Sequence, residues 1–210
     1  MNYELYYSPG TASMSVHWML IEMGVPLALR LVDIETGAQR DPEYLALNPA
    51  GRVPTLLIDG VPHGESGALL MLLAERHPDA GFSPPPGSPA RAEWLELMIY
   101  LANTVLPAMR DWFYADKDGP AESPEVIRQL ARFRIEAAFA RLDGLLADGR
   151  QFFIADRLTT VDFLAATTMR WSRNMPQPAT NWPNLARYAA AMKSRPSYLT
   201  LSSREGLSPW

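Results

Sequence analysis

Cysteine is absent from the 210 residues. That absence excludes disulfides, cysteine–zinc sites and any mechanism with a protein thiol as nucleophile. Histidine is nearly as scarce: His17, His63 and His77 are the whole complement, too few for a histidine-rich metal site, so no metal is expected. No block of one charge occurs: 19 basic and 23 acidic residues are mixed along the chain, for a net charge of −4. Without a basic patch, nucleic acid is not an expected partner. No apolar run approaches the ~20 residues of a membrane span. Met1-Asn2-Tyr3-Glu4-Leu5 lacks a positive segment followed by an apolar stretch, so no signal peptide and a cytoplasmic location are expected. Any thiol chemistry must therefore use a thiol that arrives with a ligand.

What is present is an ordinary globular composition, 48% hydrophobic and 20% charged, on a chain long enough for one or two domains. Residues 3–7 read as a short aromatic strand, broken by Ser8-Pro9-Gly10. Met14, Trp18, Leu20 and Ile21 fall at helical spacing, and Gly24 ends that segment. Residues 27–32 read as a second strand. Asp41-Pro42 gives a helix start, with Asp41 as N-cap and Pro42 at the first position. Residues 53–58 form a third strand, Asp59-Gly60 a hairpin turn and residues 61–63 its return. Glu65-Ser66-Gly67 then opens a helix reaching about Arg76. The order βαβ-α-ββα predicts an α/β layer.

The composition changes at Ala80. Phe82-Ser83-Pro84-Pro85-Pro86-Gly87-Ser88-Pro89 is a stiff, proline-rich connector. Beyond it, residues 90–115, 124–147, 160–174 and 182–194 carry helical spacing, with breaks at Gly119-Pro120 and Gly149, and no convincing strand is found. The predicted fold class is α/β plus all-α: a domain over 1–79, a linker over 80–89 and an all-helical domain over 90–210.

Five segments carry chemistry or folding signals. Val53-Pro54 stands at a strand start; if its peptide bond is cis, Val53 turns its backbone N–H and C=O outward, able to pair with an extended peptide as an added strand would. The alternative is an ordinary trans proline at a strand edge. Glu65-Ser66 lies between a strand and a helix. The helix N-terminus can hold a carboxylate through its free N–H groups, while Glu65 can receive an ammonium, so the pair suits a free α-amino acid end. The alternative is a residue that only caps its own helix. The loop Ser8-Pro9-Gly10-Thr11-Ala12-Ser13 brings hydroxyls to a second helix start, where a donor plus the dipole would stabilise a thiolate. Ser13 can equally be a plain N-cap, and Tyr7 is either a further donor or a half-buried strand aromatic. Finally, Leu158-Thr159-Thr160-Val161-Asp162-Phe163 reads as a capping box between Thr159 and Asp162 with Leu158 and Phe163 as a hydrophobic staple. Arg110, Trp112 and Tyr114 join a cation to aromatics and could wall an apolar pocket, or simply pack a helix.

Taken together, Tyr6-Tyr7-Ser8-Pro9-Gly10, Asn48-Pro49-Ala50-Gly51-Arg52-Val53-Pro54, Glu65-Ser66, Leu158-Thr159-Thr160-Val161-Asp162 and Arg204-Glu205-Gly206-Leu207 resemble the glutathione transferase superfamily, nearest its bacterial, beta-like members, over essentially the whole chain. The resemblance implies a thioredoxin-like first domain with Pro54 cis. It implies glutathione as co-substrate, bound by Arg52, Val53, Pro54, Glu65 and Ser66, with Val53 on its cysteinyl backbone and Glu65 and Ser66 on its γ-glutamyl end. It also implies a cytoplasmic detoxifying homodimer that transfers small apolar electrophiles to the glutathione thiol, with Arg110, Trp112 and Tyr114 as candidates for the electrophile's pocket. Beta-class members carry a cysteine where this chain has Ala12, and a histidine at what is Asn103 or Leu106 here, so their mixed-disulfide chemistry does not transfer. A hydroxyl from Thr11, Ser13 or Tyr7 is the expected replacement, with Thr11 and Ser13 placed ahead of Tyr7. The rival readings are another glutathione-dependent reaction (dehalogenation, isomerisation, peroxide reduction) or a non-catalytic glutathione-binding stress protein.

Overall fold

Residues 2–118, 123–154 and 156–210 are described by the structure, a computed structural model; the predicted break at Gly119-Pro120 lies outside them. They form two compact units, Met1–Gly81 with Lys193–Pro209, and Phe82–Met192 with Trp210.

The first unit holds β1 (Tyr3–Tyr7), α1 (Ser13–Met23), β2 (Leu27–Leu31), α2 (Pro42–Leu47), β3 (Thr55–Ile58), β4 (Val61–His63) and α3 (Ser66–Arg76). This is the order the sequence predicts. The sheet runs β2-β1-β3-β4, with β1 parallel to β2 and antiparallel to β3. Asp59 and Gly60 have φ of 50° and 87°, the paired positive angles of a tight hairpin turn whose twist matches its strands. Asp41 occupies the N-cap position of α2 with Pro42 behind it, but its side chain makes no capping bond.

The helix α1 is buried on nearly every side from Ser13 to Leu20. The last helix of the chain, α9 (Pro196–Glu205), explains this. The Trp18 indole N–H donates to Ser197 Oγ at 2.8 Å, the Trp18 and Tyr198 rings lie 5.0 Å apart, and Glu22 pairs with Arg195. A helix lacking a polar face needs cover on both sides; the sheet supplies one and α9 the other. The last helix therefore groups with the sheet, whereas the sequence reading placed all of residues 90–210 in the helical domain. Pro196 at the first helical position and Gly206 in the left-handed conformation at its end are the signals that delimit α9.

The second unit contains α4 (Ala90–Tyr100), a π-helical turn (Leu101–Val105), α5 (Leu106–Asp118), α6 (Pro124–Leu145), α7 (Thr160–Trp171) and α8 (Pro183–Lys193). It begins inside the proline-rich connector: the Phe82 carbonyl accepts from the Thr160 N–H at 2.9 Å, and the Phe82 ring meets Phe163 edge-on at 5.4 Å. The buried centre is α7, whose residues from Thr160 to Arg170 are all inaccessible. The predicted capping box is present at its start. The Asp162 carboxylate accepts from the Thr159 N–H at 2.7 Å, the Phe153 N–H at 3.2 Å and the Tyr188 hydroxyl at 3.0 Å. Burial raises the Asp162 pKa to about 6, against the lowering effect of those hydrogen bonds. Leu158 and Phe163, the predicted staple, are both buried.

Candidate functional site

The sheet register gathers three of the predicted segments at one end of the first unit. Tyr6 pairs with Thr55 across β1 and β3, and Leu56 with His63 across β3 and β4. The end of β1 at Tyr7, the entry to β3 at Val53-Pro54 and the exit from β4 at Gly64-Glu65-Ser66 therefore share one edge of the hairpin.

Val53-Pro54 is a cis peptide. Val53 is half-buried, and neither its N–H nor its C=O has a hydrogen-bond partner among the described residues. Main-chain groups left unpaired at a strand entry are a template for an extended ligand. Arg52 is exposed beside it and Pro54 is buried.

Glu65 takes the N-cap position of α3 but makes no capping bond, which removes the reading of a self-capping glutamate. Its φ of 64° and ψ of 103° fall outside the favoured regions for a side-chain-bearing residue, at a cost of order 1 kcal/mol or more. Ser66 is the first residue of α3, and the first backbone bond of this helix runs from the Leu69 N–H to the Glu65 carbonyl. The N–H groups of Ser66, Gly67 and Ala68 thus precede it and face out of the helix start, the positive end of its dipole. Glu65 is exposed and Ser66 is buried; neither side chain has a partner among the described residues.

In the first loop, the three candidate hydroxyls differ. Ser13 is fully buried; its Oγ donates to the Ser8 carbonyl at 3.1 Å and accepts from the Ser8 N–H at 3.3 Å. Ser13 is also not an N-cap: Ala12 holds that position. Thr11 Oγ1 is half-buried, 2.7 Å from the Ser8 carbonyl and 2.9 Å from Ser13 Oγ. The Tyr7 hydroxyl, half-buried at the end of β1, has no hydrogen-bond partner among the described residues, and the Tyr7 ring meets His17 at 5.6 Å. The loop is anchored from α9: Glu205 Oε2 accepts from the Gly10 N–H at 2.8 Å, and Glu205 Oε1 lies 2.7 Å from His17 Nδ1, both side chains being fully buried. The sequence reading quoted Glu205 and Gly206 only as part of a motif. Nothing local reveals a contact spanning 195 residues.

In the second unit, the Arg110 guanidinium sits 4.5 Å over the Tyr114 ring and pairs with Asp118 at 2.6 Å, and Lys117 lies 5.5 Å from the same ring. Trp112 is two residues from Tyr114, a spacing that does not share a helix face. The structure thus joins Arg110 to Tyr114 and to a carboxylate of its own helix, and separates Trp112 from them. Asn103 lies exposed in the π turn and Leu106 opens α5. Among the described residues no group of three or more His, Cys, Asp or Glu could hold a metal, and no helix is long and apolar enough to cross a membrane.

Residues 11–76 match the family model described as "Glutathione S-transferase, N-terminal domain", and residues 125–191 match "Glutathione S-transferase, C-terminal domain". The chain belongs to the glutathione S-transferase family. The transferase fold extends over its length. The curated relative "Glutathione S-transferase GstA" of Escherichia coli O157:H7 is 28% identical over 206 residues, 97% of this chain and 99% of that protein. A glutathione transferase homologue from Sulfitobacter, solved with bound glutathione, has a TM-score of 0.88 at 27% identity, covering 98% of this chain and 99% of that one. A bacterial beta-class transferase from Sphingomonas chungbukensis has a TM-score of 0.83 at 26% identity, covering 98% and 100%. The mixed four-stranded sheet followed by helices is the transferase layout, and the chain carries it with Ala12 in the first loop and no cysteine anywhere.

Proposed function

We propose that the chain joins the thiol of glutathione to small apolar electrophiles. The observation that carries this reading is the unpaired Val53 backbone beside the uncapped start of α3, two complementary halves of a γ-glutamyl peptide site on one sheet edge. The cysteinyl backbone of glutathione pairs with Val53 between Arg52 and Pro54. Its γ-glutamyl carboxylate takes the N–H groups at Ser66, and its ammonium takes Glu65. The thiol then points toward the first loop, where a hydroxyl and the α1 N-terminus favour the thiolate. Tyr7 is the best-placed donor, because its proton has no competing acceptor among the described residues, while the Ser13 proton is held by the Ser8 carbonyl. The thiolate sulfur forms the new bond to carbon, the leaving group departs with its electron pair, and the thiol proton passes to solvent. The protein supplies orientation and charge stabilisation.

Titration of the purified protein with glutathione, followed by thiolate absorbance of the complex against pH, tests the reading. Binding at or below millimolar glutathione with a lowered thiol pKa is expected. Absence of binding would sink the transferase reading, and binding with an unshifted thiol would favour a non-catalytic glutathione-binding protein. The homodimer belongs to the same proposal. On α6, Val126, Leu130 and Phe133 are 55%, 55% and 74% exposed and recur at helical spacing along one face, an apolar stripe that a second copy would cover. Sedimentation velocity at micromolar protein is expected to give a dimer, and Phe133→Glu a monomer; a wild-type monomer refutes the assignment.

A further inference from the structure

We propose that Tyr44, seconded by Asn48, positions the Val53 N–H for the cysteinyl backbone of glutathione. The proposal rests on the reading above and adds residues that touch no ligand. Tyr44 lies in α2 and is 5% exposed. Its hydroxyl donates to the Arg52 carbonyl at 2.7 Å and lies 2.8 Å from Thr55 Oγ1. Asn48, just past the end of α2, donates from Nδ2 to the same Arg52 carbonyl at 2.8 Å and to Thr55 Oγ1 at 3.0 Å. The donor count closes without remainder. The single Tyr44 proton goes to Arg52, the Thr55 proton goes to Tyr44, and the two Asn48 amide protons go to Arg52 and Thr55.

The consequence follows from peptide planarity. The Arg52 carbonyl and the Val53 N–H belong to one rigid plane and point in opposite directions. Two donors on the carbonyl occupy both its lone pairs and fix that plane, and the Val53 N–H at its far end is aimed with it. Both donors come from α2 and the residue just past its end, and the Val53 N–H at the other end of the plane has no partner among the described residues.

Two further features hold the device rigid. Asn48 Oδ1 accepts from the Ala50 N–H at 3.1 Å and the Asn48 carbonyl from the Gly51 N–H at 2.9 Å, closing the turn that leads to Arg52. Gly51 has φ +58°, and a Cβ there would lie 3.0 Å from both Arg40 Nη1 and the Gln39 carbonyl, so only glycine fits. Asn48 also reaches the other half of the site: a Cβ on Gly64 would stand 3.6 Å from its Nδ2, directly before Glu65. Burial raises the Tyr44 pKa, which keeps the hydroxyl a donor.

The test is Tyr44→Phe, which removes one oxygen and keeps the ring. With Tyr44→Phe, Kd for glutathione by calorimetry is expected to rise about fivefold, the worth of a typical buried hydrogen bond. The thiol-free analogue γ-Glu-Ala-Gly should weaken by the same factor, since both ligands use the same backbone groups. The thiol pKa of bound glutathione and kcat at saturating glutathione should stay unchanged, a split that general loosening of the fold would not give. Asn48→Ala, acting on the same carbonyl, should show the same split, and the double variant should lose less than the product of the two effects. If Tyr44→Phe does not fold, Asn48→Ala carries the test alone. A wild-type protein that binds glutathione, with variants of unchanged Kd and only a lower Tm, overturns the positioning role. A wild type that does not bind glutathione overturns the transferase reading itself, and the positioning role with it.

Discussion

Replacing Asp162 with alanine is expected to destabilise the protein by about 3 kcal/mol at neutral pH, because the Phe153 N–H, the Thr159 N–H and the Thr159 hydroxyl all lose their acceptor inside a dry core, while the Tyr188 hydroxyl keeps the Asp162 backbone carbonyl. The sum of three such losses exceeds this figure; removing a carboxylate that is itself costly to bury offsets part of it. The pH dependence distinguishes this from a simple packing loss. The pKa of Asp162 is raised in the folded state to about 6 from 3.8, so the folded state binds its proton more tightly than the unfolded state. Its contribution is fully present below the unfolded pKa and is lost as pH rises through about 6. The gap between wild type and Asp162→Ala is therefore expected to widen as the pH falls from 7 to 4. Urea unfolding at several pH values measures it. A gap that narrows toward acid would mean that Asp162 is a net stabilising anion in the fold, contrary to its burial.

Tyr7→Phe is expected to lower kcat/KM for glutathione conjugation roughly 10²-fold, the usual consequence of removing a donor aimed at developing charge. The same substitution should raise the thiol pKa of bound glutathione while leaving its Kd near the wild-type value. The contrast with Ser13→Ala is the useful part. Ser13 Oγ bridges the N–H and C=O of Ser8 from a fully buried position, so its loss is expected to lower Tm and leave the thiol pKa in place. Thr11→Val separates the remaining possibility, since Thr11 Oγ1 is half-buried but directed at the Ser8 carbonyl. Full activity in Tyr7→Phe, with a displaced thiol pKa in Thr11→Val, would move the donor from the strand end to the loop. The sequence reading placed Thr11 and Ser13 ahead of Tyr7; the proposal of Tyr7 rests instead on the Thr11 and Ser13 hydroxyls being engaged already at the Ser8 carbonyl.

The first layer of the fold is legible because its signals are local. The Asp59-Gly60 turn, the Thr159–Asp162 capping box and the Pro42 helix start each arise from interactions between residues a few positions apart. The Glu65-Ser66 helix start is legible for the same reason, although the positive φ of Glu65 is imposed by its surroundings and not by its own preference. What stays hidden involves distant partners. The helix α9 is marked at both ends by Pro196 and Gly206, yet its attachment to α1 depends on Trp18, Glu22, Ser197 and Tyr198 meeting across the chain. Arg110, Trp112 and Tyr114 read as one cluster in sequence, but in the structure Arg110 lies over Tyr114 and pairs with Asp118 across a helix that departs from helical geometry at Tyr114.

The sequence by itself determined that this protein has no thiol of its own, and it marked Val53-Pro54 and Glu65-Ser66 as the candidate backbone and helix-start groups for a ligand that brings one. Residue identity and short-range order suffice for those statements. Tertiary structure alone decided which groups are free to act. It engaged Ser13 with Ser8, left the Tyr7 hydroxyl without a hydrogen-bond partner among the described residues, and locked the first loop to Glu205. It also held the Arg52 carbonyl between Tyr44 and Asn48. A hydrogen bond is a matter of position and direction, and those are set only when the elements pack.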